Sequence, residues 1–138
     1  MSARIASFRP LTAGLAILCL VLTAVSTEGC RSTPVRDLGP TTIHVRASRN
    51  QVKHAILAAG ASQGWSMKEL YPGAILATLT VRSHLAVVQI DYSSSSFRIR
   101  YKDSSNLDYN SMDRTIHSNY NDWVERLNNA IVARVSTI

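Results

Sequence analysis

From Trp65 to Lys102 apolar and polar positions alternate. "WSMKEL" sets Trp65 and Met67 against Ser66 and Lys68. "AILATLTV" puts Ile75, Ala77, Leu79 and Val81 on one side, and "LAVVQIDY" puts Ala86, Val88, Ile90 and Tyr92 together. "FRIRYK" is the cleanest block, with Phe97, Ile99 and Tyr101 opposite Arg98, Arg100 and Lys102. A period of two is the strand period, because successive side chains point to opposite faces of a sheet. The breaks between blocks, "YPG", "RSH" and "SSSS", are short. Pro72 presets φ, and Gly73 tolerates the positive φ that a type II turn needs. Links this short join antiparallel neighbours, so the blocks predict an antiparallel meander with one wet face. A shorter alternation upstream, "TTIHVRA" with Ile43 and Val45 on one side, predicts a further strand.

Two stretches follow the helical period instead. Ser48 with Gln51 three residues on matches a capping box, and Val52, Ala55, Ile56 and Ala59 form the stripe behind it. Gly64 suits the stop, and Gly60 inside the stripe permits close packing. The second helix is expected from about Ile116 to Val135, with Ile116, Tyr120, Trp123, Val124, Leu127, Ile131 and Val135 on its apolar side. Trp123 is expected in the core. One helix precedes the meander and one follows it, so both can cover its apolar face. The fold expected is α+β: a two-layer sandwich, an antiparallel meander sheet of four to five strands with two helices on one face.

The first 30 residues belong to neither pattern. Arg4 and Arg9 precede an uncharged apolar run, Leu11 to Val25, and small residues follow. That order is the layout of a secretory signal peptide, and the run is short for a spanning helix. "TEGC" then resembles a bacterial lipobox, whose Cys, here Cys30, is diacylated after cleavage. Thr27 and Glu28 depart from the usual Leu and small residue of that pattern. Ordinary cleavage after Ser26, within "AVS", is the competing reading. Lipidation is favoured because it gives a role to a cysteine that would otherwise be left unpaired; Cys19, the other of the two, lies inside the apolar run. Arg31, rather than Asp, follows Cys30, which slightly favours the outer membrane. Residues 1–29 are thus expected as signal peptide, 30–40 as a Pro- and Gly-containing tether, and 41–138 as one domain.

The chain has 138 residues and a net charge of +6, enough for one globular domain in anionic surroundings. An exported chain is not expected to bind nucleic acid. His44, His54, His84 and His117 lack the spacing of a metal motif, and no hydrolase elbow, phosphate loop or dinucleotide glycine pattern is present. No cofactor, metal or catalytic residue is expected. Arg98, Arg100 and Lys102 place three cations on one face of a strand, either as a solvated face or as a platform for an anion. The following stretch, "YKDSSNLDYN", is rich in residues that bond back to nearby backbone, which predicts a structured connection. Its recognition-loop alternative would use Lys102, Tyr109, His117 and Asn121.

The segments "SFRIRYKDSSNLDYN", "IHSNYNDWVERLNNAI", "AILAAGASQGWSMKEL" and "ATLTVRSHLAVVQIDYS" resemble a group of small proteobacterial envelope lipoproteins. The resemblance spans about Val45 to Ile131. It implies location and domain type and carries no assigned activity. The function expected is a membrane-anchored, non-catalytic binding or accessory module facing the periplasm. Its partners would be the membrane, through the lipid, and an envelope protein or an anionic glycan or lipid. The alternative is a small envelope hydrolase built on His117 or a loop Asp.

Overall fold

The structure is a computed structural model that describes residues 31–138. The expected signal peptide and Cys30 lie outside the described residues. Two sheets and two helices follow in the order β1 Ser32–Pro34, β2 Leu38–Thr42, α1 Arg49–Ser62, β3 Ser66–Tyr71, β4 Ala74–Val81, β5 His84–Tyr92, β6 Ser96–Ser105, β7 Thr115–His117 and α2 Ser118–Val135. β3 to β6 form the expected meander, and β2 adds to its far edge, giving the order β2-β6-β5-β4-β3, all antiparallel. β1 and β7 pair separately.

The inward rows read from the sequence are buried: Ile75, Ala77 and Leu79 on β4, Ala86, Val88 and Ile90 on β5, Phe97 and Ile99 on β6. They pack in one cluster with Val52, Ala55, Ile56 and Ala59 of α1 and with Tyr120, Val124, Leu127, Ile131 and Val135 of α2. Both helices therefore cover the same sheet face. The hairpins close through Pro72-Gly73, where Gly73 has φ +104°, and through Arg82-Ser83, where Arg82 has φ +55°. The serine run is held by Ser93, whose Oγ accepts from the N–H of Ser95 at 3.1 Å and of Ser96 at 3.0 Å. The capping box of α1 is present in both directions, Ser48 N–H to Gln51 Oε1 at 2.9 Å and Gln51 N–H to Ser48 Oγ at 3.2 Å.

Four expectations are corrected. The segment expected as a tether is folded through most of its length. Asn121 holds it, donating to Thr33 Oγ1 and to the Pro34 carbonyl and accepting from the Arg36 N–H, at 2.9, 2.9 and 3.0 Å. Asp37 secures the next turn, accepting from the Tyr101 N–H at 3.0 Å and pairing with Arg114 at 3.2 Å. Such pairing satisfies backbone at a sheet edge and needs no apolar alternation, so periodicity did not mark it. The upstream strand is shifted accordingly: it ends at Thr42, and Val45 lies beyond it. Ile116 belongs to β7, opposite Thr33, and His117 caps α2. Trp123 is only half-buried; the stripe Tyr120, Val124, Leu127, Ile131, Val135 takes the core and leaves Trp123 at its margin.

Candidate functional site on the open sheet face

The face of the five-stranded sheet turned away from the helices carries the residues that alternate with the buried rows. Register aligns them across strands: Lys68 opposes Leu76, Leu76 opposes Gln89, and Gln89 opposes Arg100. A second row runs Ser66, Thr78, Val87, Asp103. Leu76, Thr78, Leu85 and Val87 form a half-buried centre, and among the described residues no element packs over it. Lys68, Arg98, Arg100 and Lys102 are exposed around that centre.

The three cations singled out from the alternation thus share one face, and they differ in what holds them. Arg100 is neutralised: its Nε and Nη2 donate to Asp91 Oδ2 at 2.8 and 2.5 Å, while Asp91 Oδ1 accepts from Gln89 at 2.7 Å. Arg98 and Lys102 form no ion pair among the described residues. Lys102 is the extra residue of a bulge, since Tyr101 opposes Val88 and Asp103 opposes Val87. A bulge lifts its residue out of the ladder and re-aims the side chain. Asp103 sits beside it, with Oδ1 accepting from the Ser104 N–H at 2.8 Å. The face keeps a cationic excess: Lys68, Arg98, Arg100 and Lys102 against Asp91 and Asp103. Lys68 was not singled out in the sequence. The two-residue turns that fix register are the signal that brings it into line with Arg100.

The remaining candidates have structural duties. Tyr109 stacks on Tyr101 with ring centroids 4.3 Å apart, and Tyr101 meets Tyr120 edge-on at 5.6 Å. Burial raises the Tyr101 phenol above its ordinary value, although its hydroxyl bonds Ser104 Oγ at 2.9 Å. Burial raises Tyr120 much further, and its hydroxyl has no protein partner among the described residues. Leu107 is 1% exposed and pins the connection beneath. Of "YKDSSNLDYN", expected as a structured connection, Tyr101–Ser105 instead continues β6 against β5, and the connection begins only at Asn106.

Asn121 spends its amide on β1, as described above. His117 Nδ1 accepts from the Asn119 N–H at 3.2 Å. The hydrogen-bonded trio of His117, Asp103 and Ser104 that the hydrolase alternative needs is not formed, because Ser104 is turned to Tyr101 and His117 to its own helix. Instead His117 lies beside His84, ring centroids 6.3 Å apart, and His84 lies 6.4 Å from Trp123. Among the described residues no group of three or more His, Cys, Asp or Glu is placed to hold a metal ion. Nor is any helix there long and apolar enough to cross a membrane.

Compared with protein-family models, with curated proteins and with solved structures, the chain matches none.

Proposed function

We propose that this protein is a non-catalytic binding module of the bacterial cell envelope, held at a membrane by a lipid on Cys30, whose open sheet face receives an anionic partner. The observation that carries the binding reading is the pair Arg98 and Lys102, exposed and without ion-pair partners among the described residues, beside a half-buried apolar centre. A polyanion meeting such a face gains charge contacts with cations that need not first break an internal pair. Leu76, Leu85 and Val87 offer apolar contact area in the middle. Residues 1–30 support the anchoring reading through the basic start, the apolar run and the cysteine that follows. Two or more acyl chains give stable anchoring where one does not.

Charge reversal tests the binding reading. Arg98→Glu with Lys102→Glu is expected to remove salt-sensitive retention on an immobilised polyanionic glycan while leaving the thermal midpoint in place. Retention unchanged by the double reversal would sink it. Cys30→Ala tests the anchor and is expected to release the protein from the membrane fraction.

A further inference from the structure

The described chain starts at a fixed place. The Arg31 carbonyl accepts from the Ser118 N–H at 3.0 Å, and Ser32 pairs with His117, so Arg31 sits against the start of α2. Cys30 immediately precedes Arg31 in the sequence. The route to the anchor therefore leaves the domain at this end.

The same end collects features of another kind. The tip of the β4–β5 hairpin is tied to the β6–β7 connection by Asn106, which donates to the Ser83 carbonyl at 2.6 Å and accepts from His84 Nδ1 at 2.6 Å. His84 in turn lies between His117 and Trp123. Trp123 is half-buried and shares a shallow depression with Gln63, Trp65, Leu79, Val81 and Arg126. Arg31, Arg82 and Arg126 are exposed and form no ion pair among the described residues. Among the described residues the exposed acids nearest to them in sequence, Asp37, Glu69 and Glu125, are each paired with another cation, Arg114, Lys53 and Arg36. A partly exposed tryptophan among cations is the chemistry of a membrane–water interface, where an indole sits at headgroup level and guanidinium groups meet lipid phosphates.

We infer that this end of the molecule rests on an anionic bilayer surface, with Trp123 at headgroup depth and Arg31, Arg82 and Arg126 on the phosphates. The inference rests on the anchored reading above, and it adds an orientation. A tether at Cys30 raises the local concentration of the surface, so weak contacts suffice to choose which face lies down. Each cation near an anionic leaflet shifts that choice about fivefold. Arg98 lies towards the opposite end of the sheet, where it opposes Asp91, so the open face stays clear for a second partner.

Depth-dependent quenching tests it. The chain has two tryptophans, and Trp65 is 4% exposed. The full protein is bound to vesicles of phosphatidylethanolamine and phosphatidylglycerol, with or without bromine on the acyl chain near the headgroup. Brominated lipid is expected to quench the native protein and to leave Trp123→Phe unquenched. Tyr71→Trp in the Trp123→Phe chain serves as the far-end control. Tyr71 lies beyond the other end of β4, roughly 23 Å away along a strand at about 3.3 Å per residue. It is 56% exposed, so the change does not disturb the core, and it is expected to stay unquenched. Arg82→Glu with Arg126→Glu is expected to reduce quenching of Trp123. A protein that sediments with the vesicles but shows Trp123 no more quenched than the Tyr71→Trp control keeps its anchor and overturns the resting face. A protein that does not sediment with them overturns both readings.

Discussion

Gly60 lies in the buried stripe of α1, facing β3. A methyl group there would overlap Met67 Sδ and Cε and come within 3.0 Å of Cγ. Two effects of opposite sign follow from Gly60→Ala. In a helix interior alanine is favoured over glycine by about 1 kcal/mol. Forcing an extra methyl into a packed contact costs about 1–3 kcal/mol. Met67 is half-buried, and the far end of its flexible side chain can withdraw in part, but Cγ cannot go far without moving β3. The overlap is therefore expected to win, with a net loss of about 1 kcal/mol. In a Met67→Ala background the obstacle is gone and only the propensity gain remains, so the same Gly60→Ala change is expected to stabilise by up to about 1 kcal/mol. Urea unfolding of the four proteins in the cycle, followed by far-ultraviolet circular dichroism, reads the sign in each background. A Gly60→Ala effect that agrees between backgrounds to within about 0.5 kcal/mol would show that the two positions do not touch, and the packing of α1 on β3 would have to be redrawn.

Tyr120 and Tyr101 make stability pH-dependent in alkali. Burial raises both phenols in the fold, so above about pH 10 the unfolded chain has lost protons that the folded chain keeps. Stability is expected to fall as pH rises through that region, and Tyr120→Phe to flatten the fall; an unchanged slope in thermal midpoints would refute the assignment. At neutral pH Tyr120→Phe is expected to be neutral or stabilising, by about 1 kcal/mol, because the hydroxyl it removes has no partner among the described residues. Asn121→Ala is expected to cost about 1–2 kcal/mol and to speed amide exchange at Thr33 and Val35, whereas exchange left unchanged would mean that the amide does not hold β1. Trp123→Ala is expected to cost clearly less than Trp65→Ala, since Trp65 is 4% exposed and Trp123 is half-buried; equal losses in urea midpoint would return Trp123 to the core.

The meander and both helices were legible because burial on one face writes a period into the chain. Phe97, Ile99 and Tyr101 could be read as inward and Arg98, Arg100 and Lys102 as outward before any coordinates. β1 and β2 were not legible, because "STPVRDLGPTT" carries no period. It is held by backbone pairing and by the side chains of Asn121 and Asp37, partners more than 60 positions away in sequence. Trp123 was misplaced because it adjoins Leu127 on a helical projection, and only the packing of Tyr120, Val124 and Leu127 decides which edge of the stripe is wet. The basic row was legible as a row. Its division into a paired Arg100 and, among the described residues, an unpaired Arg98 and Lys102 required the register of β5 against β6, and the bulge at Lys102 required the strand end beyond the clean alternation. The approach of His84 to His117 was hidden by their separation along the chain.

The open-face account makes its sharpest demand at Asp91. Asp91→Asn removes the anion that neutralises Arg100 while leaving an oxygen for Gln89 to donate to. Affinity for a polyanionic glycan, measured across a salt series, is expected to rise in Asp91→Asn and to fall in Arg98→Glu with Lys102→Glu. The differences should shrink as salt screens exposed charges. Equal affinities in all three proteins, or a loss in Asp91→Asn with its fold intact, would contradict the claim that this face is where the partner binds.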